Sequence, residues 1–575
     1  MTARTPTSAP GRILGLCAFT HDSAATLLID GRLAGFVEEE RLTGDKHTNA
    51  YPARGVNWLL KENGLSAADI DVVAYNFQPH RYLTALQQFP GHLLGPDSRT
   101  RALPRAVSFA KVAARTRARV QQISQRFPYA QTRPVSHHRA HGLYAFASSG
   151  YDDAAVLIVD SLGESHTTTI GHASGHPARY RIVEAIADPA SLGYVYGAVT
   201  EHLGWRRGDE EGTVMALAAL GDPTRFAGLF ADAMPLTDTG FTLDPALVPL
   251  RVMSSRYRRL SEAFIRMSCP PRSGGEPVSQ VHRDLAAALQ QRTEQILLHL
   301  ARRARTLTGS RLLCVGGGVA ANCVAVAKII GSGLFDEVHV PPAPGDSGTA
   351  IGAAIELHTR RQPTLPTGID HRCYLGPTYP QLRMPPTPRS GTTAERREDP
   401  ARYLARQLAD GRIVGLFHGR LEAGPRALGN RSILASPLLP DVVDRLNDTV
   451  KFREPFRPFA PVVLASAAAQ YFTLGQPAPF MSFASGVTEL TRNKIPAVIH
   501  ANDTARVQTV TAEQNPFLAA VLTEFAGLTG IPVLINTSLN VKGKPICGTP
   551  DMALDCLLGS GLDALMMEGW WITKC

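Results

Sequence analysis

Apolar residues in this chain come in short runs, and one arrangement of runs occurs twice. In RILGLCAFTHDSAATLLIDGRLAGFVEEERL (12–42) an apolar run leads into a polar loop, a second run, and a third beyond Asp30-Gly31. That dipeptide between apolar runs signals a tight hairpin. AAVLIVDSLGESHTTTIGHASGHPARYRIVEAI (154–186) repeats the order. Each copy predicts three successive strands, followed by segments with helical spacing.

Further on, QVHRDLAAALQQRTEQILLHLARRARTL (280–307) places apolar residues at helical intervals and predicts a long amphipathic helix. The next fifty residues read strand, glycine turn, helix, strand, loop, helix, an open α/β pattern. A duplicated strand-rich opening followed by helices is the layout of actin-like ATPase domains, in which a nucleotide or phosphate lies between two halves. We assign residues 1–360 to this domain. Residues 361–398 are rich in Pro, Arg and Thr and read as a linker or wrapping segment, with a second α/β domain at 399–575.

At 575 residues the chain is too long for one core, and its 44% hydrophobic and 19% charged content is that of a globular protein. The apolar run after MTARTPTSAPGR is broken by His21 and Asp22, which argues against a cleaved leader, and no run is long enough to span a membrane. Eight scattered cysteines without a C-x-x-C fit reduced thiols, so a cytoplasmic location is expected. The net charge of +9 fits anionic small substrates or nucleic acid. Residues 99–126 carry eight basic side chains and no acid, either a solvated helical face or a polyanion-binding one.

The candidate chemistry begins with SHHRAH (136–141). On a helix His137 and His141 share one face, and His138 points elsewhere. Asp160 and Asp346 stand at the ends of apolar strands, where an α/β fold places its ligand. Two imidazoles with one or two carboxylates suit a divalent ion of the iron, manganese or zinc kind with open positions. GGGVAAN (316–322) satisfies a dinucleotide fingerprint, but it lies mid-chain and lacks a second mononucleotide-binding half, so nucleotide cradling without hydride chemistry is the better reading. No P-loop motif occurs. Between 420 and 457, Arg420, Arg426, Arg431, Arg445, Lys451, Arg453 and Arg457 sit among glycines and prolines, the makings of a polyphosphate or carboxyphosphate site. Arg506, Asn536, Thr537 and Ser538 follow strand-like runs and add polar groups to the same cleft.

These motifs, in this order and with FRPFAPVVL and LINTSLN, resemble the O-carbamoyltransferase family of nodulation protein U and the tobramycin, cephem and ansamycin or macrolide carbamoyltransferases. The resemblance spans residues 12–575. It implies an N-terminal actin-like ATPase domain, similar to threonylcarbamoyl transferases, and a C-terminal YrdC-like α/β domain. The activity it implies is formation of carbamoyl adenylate from carbamoyl phosphate and ATP, with Mg2+ accompanying ATP, then transfer of the carbamoyl group to a hydroxyl. Carried over by motif, Lys46, Asn322, Arg426, Lys451, Arg457, Arg506, Asn536 and Ser538 bind carbamoyl phosphate, ATP or the adenylate. His137, His141, Asp160 and Asp346 hold a divalent iron or similar ion, and His21 is the general base. The family also implies a homodimer and antibiotic biosynthesis. The apolar loop GLCAFTHDS favours a macrolide, macrolactam or attached deoxysugar as acceptor over an aminoglycoside or cephem. An RNA-modifying transferase and a nucleotide-binding interaction protein are the competing readings, although the 99–126 stretch lacks RNA-stacking aromatics; the expectation is no nucleic-acid partner and no membrane. Thr213, Val326, Ala327 and Lys544 depart from the family pattern.

Overall fold

The computed structural model describes residues 11–380, 382 and 391–575. Part of the segment read as a linker, residues 381 and 383–390, lies outside the described residues, as do residues 1–10 of the stretch examined for a leader.

The first repeat forms β1 (Arg12–Cys17), β2 (Ala24–Ile29) and β3 (Arg32–Glu38), joined by β4 (Val72–Tyr75) and β5 (Gln131–Pro134). Their order is β3-β2-β1-β4-β5, with β1–β3 antiparallel and β1, β4 and β5 parallel. Asp30 and Gly31 both have positive φ, +49° and +75°, which is the backbone that a two-residue hairpin requires. The second repeat forms β6 (Asp153–Gly163), β7 (His166–Gly175) and β8 (Ala178–Ala187). After the short ribbon β9 (Leu236–Thr237) and β10 (Gly240–Phe241) come β11 (Leu312–Gly316) and β12 (Glu337–His339), which complete the second sheet. Its order, β8-β7-β6-β11-β12, and its strand directions reproduce the first sheet.

Two helices, His137–Ala147 and Thr349–Thr359, fill the space between the sheets and share one core with Ile13, Val72, Val156 and Cys314. They touch at a glycine: a Cβ on Gly352 would lie 1.7 Å from Ala140 O. The amphipathic stretch forms one helix, Gln280–Thr308, ended by Gly309 in the left-handed conformation, and its apolar face joins the core around Tyr196, Leu217 and Phe230.

The C-terminal half is an eight-stranded mixed sheet of β13 (Thr392–Arg396), β14 (Val414–Phe417), β15 (Arg431–Ala435), β16 (Ala460–Leu464), β19 (Gln508–Val510), β20 (Val533–Ser538), β21 (Ala564–Met567) and β22 (Trp570–Lys574). The ribbon β17 (Ser485–Gly486) and β18 (Thr504–Ala505) stands beside it. β13 falls within the stretch read as a linker, yet it pairs with β22 along its full length as the sheet edge. The molecule is thus mixed α/β. Among the described residues no helix is long and apolar enough to cross a membrane. Seven of the eight cysteines are buried, and Cys575 is exposed.

The basic stretch is one helix, Arg99–Arg126, and part of its charge is spent inside the fold. Arg105 is buried against Asp188 at 2.5 Å, and Arg101 donates to the carbonyls of Leu250 and Arg258. Arg119 and Arg126 lie over the rings of Phe19 and Tyr51.

Candidate active site and metal centre

The histidine helix begins after β5, so His137 and His141 occupy its first turns with Nε2 atoms 3.1 Å apart. β6 delivers Asp160 and the loop after β12 delivers Asp346. His137 Nε2 stands 3.5 Å from Asp160 and 3.4 Å from Asp346, and His141 Nε2 is 3.7 Å from Asp346. One ligand atom from each residue lies within 4.8 Å of all the others, a cluster that can hold a metal ion. Each half of the repeated fold contributes, so the cluster forms only once both sheets are in place.

The surroundings fix these side chains. Phe77 stacks on the His137 ring at 4.4 Å and orients it, where a hydrogen bond on the buried and unpartnered Nδ1 would otherwise do so. Glu164 accepts from His137 N and Gln78 N, and Gly318 N donates to Asp160 at 3.1 Å. Burial resists charge on His137, yet Asp346 and Asp160 raise it to about 10. Burial likewise resists charge on Asp160, which His137 and His141 nonetheless hold well below the carboxylate range. The carboxylate pair therefore calls for a cation, and imidazole with carboxylate donors fits a divalent transition ion. His138, as its spacing predicts, turns away and meets Thr169.

His21 lies on the β1–β2 loop, half-exposed, within a network that sequence reasoning missed. Its Nδ1 is 2.7 Å from Asp22 and its Nε2 is 2.7 Å from the carbonyl of Gly208. His47 stacks on it at 4.7 Å, bonding Asp22 through Nδ1 (2.6 Å) and Asp209 through Nε2 (3.0 Å). Lys46 pairs with the same Asp209. A carbonyl and a carboxylate only accept, so both His21 nitrogens carry protons. Burial opposes this charge, and Asp22 overrides it, lifting His21 to about 10. As placed, His21 is an imidazolium; work as a base begins with release from Gly208 and loss of that proton. Asp22 beside His21, and the acids of GDEEG, were the available signals, but their convergence is not local.

Several cations of the C-terminal half gather beside one another. Among the described residues Arg426 has no hydrogen bond or ion pair. Burial first, then Arg506 and Arg457, depress its guanidinium to about 9, and Cys323 at the start of the Cys323–Gly331 helix is among its neighbours. Arg506 Nε is buried without a partner, and Arg457 is 4.0 Å from Glu454. Half-buried cations left facing one another mark a place for anionic oxygen. Lys451 is buried and donates to Asn540 Oδ1 at 2.8 Å, to Ser538 Oγ at 3.2 Å and to the carbonyls of both residues. Asn536 bonds Gln508 and Ala427 O, with its own Oδ1 buried and unpartnered. Other sequence-selected groups are engaged elsewhere. Asn322 caps the Cys323–Gly331 helix and bonds Gln290, and Arg431 is buried against the carbonyls of His418 and Gly419. Of the departures, Thr213 and Val326 are buried, Ala327 packs on the core, and the Lys544 carbonyl accepts from Asn540.

The family model for the carbamoyltransferase N-terminus matches residues 12–355 and that for the carbamoyltransferase C-terminus matches 405–574. An uncharacterized protein of Synechocystis sp. is 32% identical over 98% of this chain and 96% of its own. Nodulation protein NolNO of Sinorhizobium fredii is 34% identical over 97% and 79%, and nodulation protein U of Bradyrhizobium diazoefficiens 30% over 95% of each chain. A ROK family glucokinase from Streptomyces griseus covers 60% of this chain and 98% of its own at 13% identity and a TM-score of 0.26. With both family models matched across the two halves, the chain belongs to the carbamoyltransferase family.

Proposed function

We propose that this carbamoyltransferase activates carbamoyl phosphate with ATP in its C-terminal, YrdC-like half and passes the carbamoyl group to a hydroxyl of a small molecule in its N-terminal, actin-like half. The observation that carries the reading is the set of half-buried, mutually repelling guanidinium groups, Arg426, Arg457 and Arg506, gathered in the C-terminal half with Cys323, Glu210 and Asp209 of the N-terminal half among their neighbours. Cations held in this way are complementary to phosphates and to charge developing at phosphorus.

In balance, water takes the phosphoryl group of carbamoyl phosphate, leaving carbamate and phosphate. Carbamate oxygen then displaces pyrophosphate from the α-phosphorus of ATP, giving carbamoyl adenylate. An acceptor hydroxyl attacks the carbamoyl carbon, AMP leaves, and the hydroxyl proton passes to His21 Nε2 once that nitrogen has released Gly208 O and lost its own proton to solvent. Arg426, Lys451, Arg457, Arg506, Asn536 and Ser538 bind and orient carbamoyl phosphate and ATP, and Lys46 reaches the adenylate. A divalent ion on His137, His141, Asp160 and Asp346 would supply Lewis-acid charge next to the transferring group. The acceptor we favour is a macrolide, macrolactam or attached deoxysugar, since the acids near His21, Asp22 and Asp209, are already paired with His21, His47 and Lys46 and are not free to bind the ammonium groups of an aminoglycoside.

The test is pyrophosphate and AMP release from ATP with manganous or ferrous ion, with and without carbamoyl phosphate, in the wild type and Arg426→Ala. Release that requires both carbamoyl phosphate and Arg426 is expected. Release indifferent to carbamoyl phosphate would refute adenylate formation. For the acceptor, faster carbamoylation of an aminoglycoside than of a macrolide would overturn the preference.

A further inference from the structure

The two halves are tied through one carboxylate. Glu38, at the end of β3, accepts from Gly424 N at 2.8 Å and from Ser347 Oγ at 3.3 Å on Oε1, while Oε2 faces Arg41 Nε at 3.5 Å. Arg41 donates to Gly424 O at 2.8 Å and pairs with Glu40 at 3.1 Å. Both Glu38 and Arg41 are 4% exposed. Ser347 follows the cluster carboxylate Asp346, and Gly424 stands two residues before Arg426.

The backbones meet without room to spare. Gly424 has φ +91°, and a Cβ there would lie 1.9 Å from Pro342 O, on the loop that carries Asp346. A Cβ on Gly548 would lie 2.0 Å from Arg41 O. The Arg426 loop does not need Glu38 for its own shape, because Glu422 Oε1 already accepts from the amides of Leu428, Asn430 and Arg431 at 2.8–3.0 Å. Glu38 therefore seats one finished loop on another. A buried ion pair is a weak source of stability compared with apolar packing, but it fixes a single register.

We propose that Glu38, with Arg41, is a positioning residue that seats the Arg426 loop on the Asp346 loop, so that the activated carbamoyl group stays enclosed between the two halves. This rests on the function proposed above. When the seat is lost, water attacks the carbamoyl carbon of the adenylate and releases AMP and carbamate.

The experiment needs no acceptor. The enzyme is mixed with ATP, carbamoyl phosphate and manganous ion, and pyrophosphate and AMP are followed. The wild type gives a burst of about one pyrophosphate per chain and slow AMP release thereafter, as expected for a held intermediate. In Glu38→Ala, AMP release relative to burst amplitude rises by about tenfold or more, the scale of one lost hydrogen bond to a charged group. Gly424→Ala, which pushes the same loops apart without touching Glu38, gives the same leak. Glu38→Gln keeps an acceptor for Gly424 N and Ser347 Oγ and restores retention. The ratio is taken per competent site, so a variant that merely folds poorly loses burst and leak together. Lack of any pyrophosphate dependent on carbamoyl phosphate in the wild type overturns the proposed function and this inference with it. A wild-type burst with an unchanged ratio in Glu38→Ala and Gly424→Ala overturns the inference alone.

Discussion

Lys451 shows what the fold does to a single charge. Its amine is enclosed by oxygens of Ser538 and Asn540, and burial, reinforced by Arg453, pushes it down to about 7 from an ordinary 10.5. Between these values the unfolded chain holds a proton that the native protein has shed, so this group makes stability rise with pH from about 7 to 10.5 and contributes no slope below 7. A bound phosphate favours the ammonium form, so ligand binding recharges the amine. ATP affinity is expected to fall as pH rises above about 7, with proton uptake on binding detectable by calorimetry in buffers of different ionisation enthalpy. Lys451→Met removes both. An uptake unchanged in the variant would show that another group is responsible. Backbone strain gathers near the same chemistry: Phe19, Asp22 and His47 around His21, Glu164 beside His137, and Phe452 next to Lys451 all have positive φ. Such conformations persist where the surroundings over-determine them.

At the scale of elements, the histidine helix is held by what its neighbours lack. Gly352 lets the Thr349–Thr359 helix approach Ala140, and Gly163 leaves space that a Cβ would take 2.1 Å from His138 and 2.9 Å from His137. Gly352→Ala should cost about 1–3 kcal/mol, the range for overpacking a filled core, measured by urea unfolding. Gly163→Ala should instead act on the cluster, lowering manganous-ion binding by isothermal titration with a smaller effect on the unfolding midpoint; equal loss in both would make Gly163 a packing residue only. Much of this scale was legible in the chain. Asp30-Gly31, the two strand triplets and the four-residue spacing of His137 and His141 are local signals, and local backbone chemistry decides them. What stayed hidden is non-local. Arg105 reads as one more solvated cation until Asp188 is brought to it, and TTAER reads as loop until β22, some 180 residues on, supplies its ladder. The Asp22–His47–Asp209 network is invisible for the same reason: its members are ordinary loop residues until the β1–β2 loop and the Gly208 turn meet.

At the scale of the whole molecule, the proposed site draws residues from both halves, so a ligand that spans it would bind the native state alone. ATP at about 100 times its dissociation constant should add about 2.7 kcal/mol of stability. Because Trp205 reaches Glu454 and Gln476 reaches the backbone of Val338, the halves should melt in one transition that ATP shifts as a unit. Two transitions in calorimetry, with only one shifted, would show that these contacts do not couple them. The same burial leaves a marker in each half. A maleimide reagent should meet one thiol in the native protein, Cys575, and eight in the unfolded chain, with Cys17, Cys269, Cys314 and Cys323 reporting from the N-terminal half and Cys373, Cys547 and Cys556 from the remainder. Pulse alkylation read by mass spectrometry therefore turns seven hidden sulfur atoms into clocks, each timing how often its own neighbourhood opens.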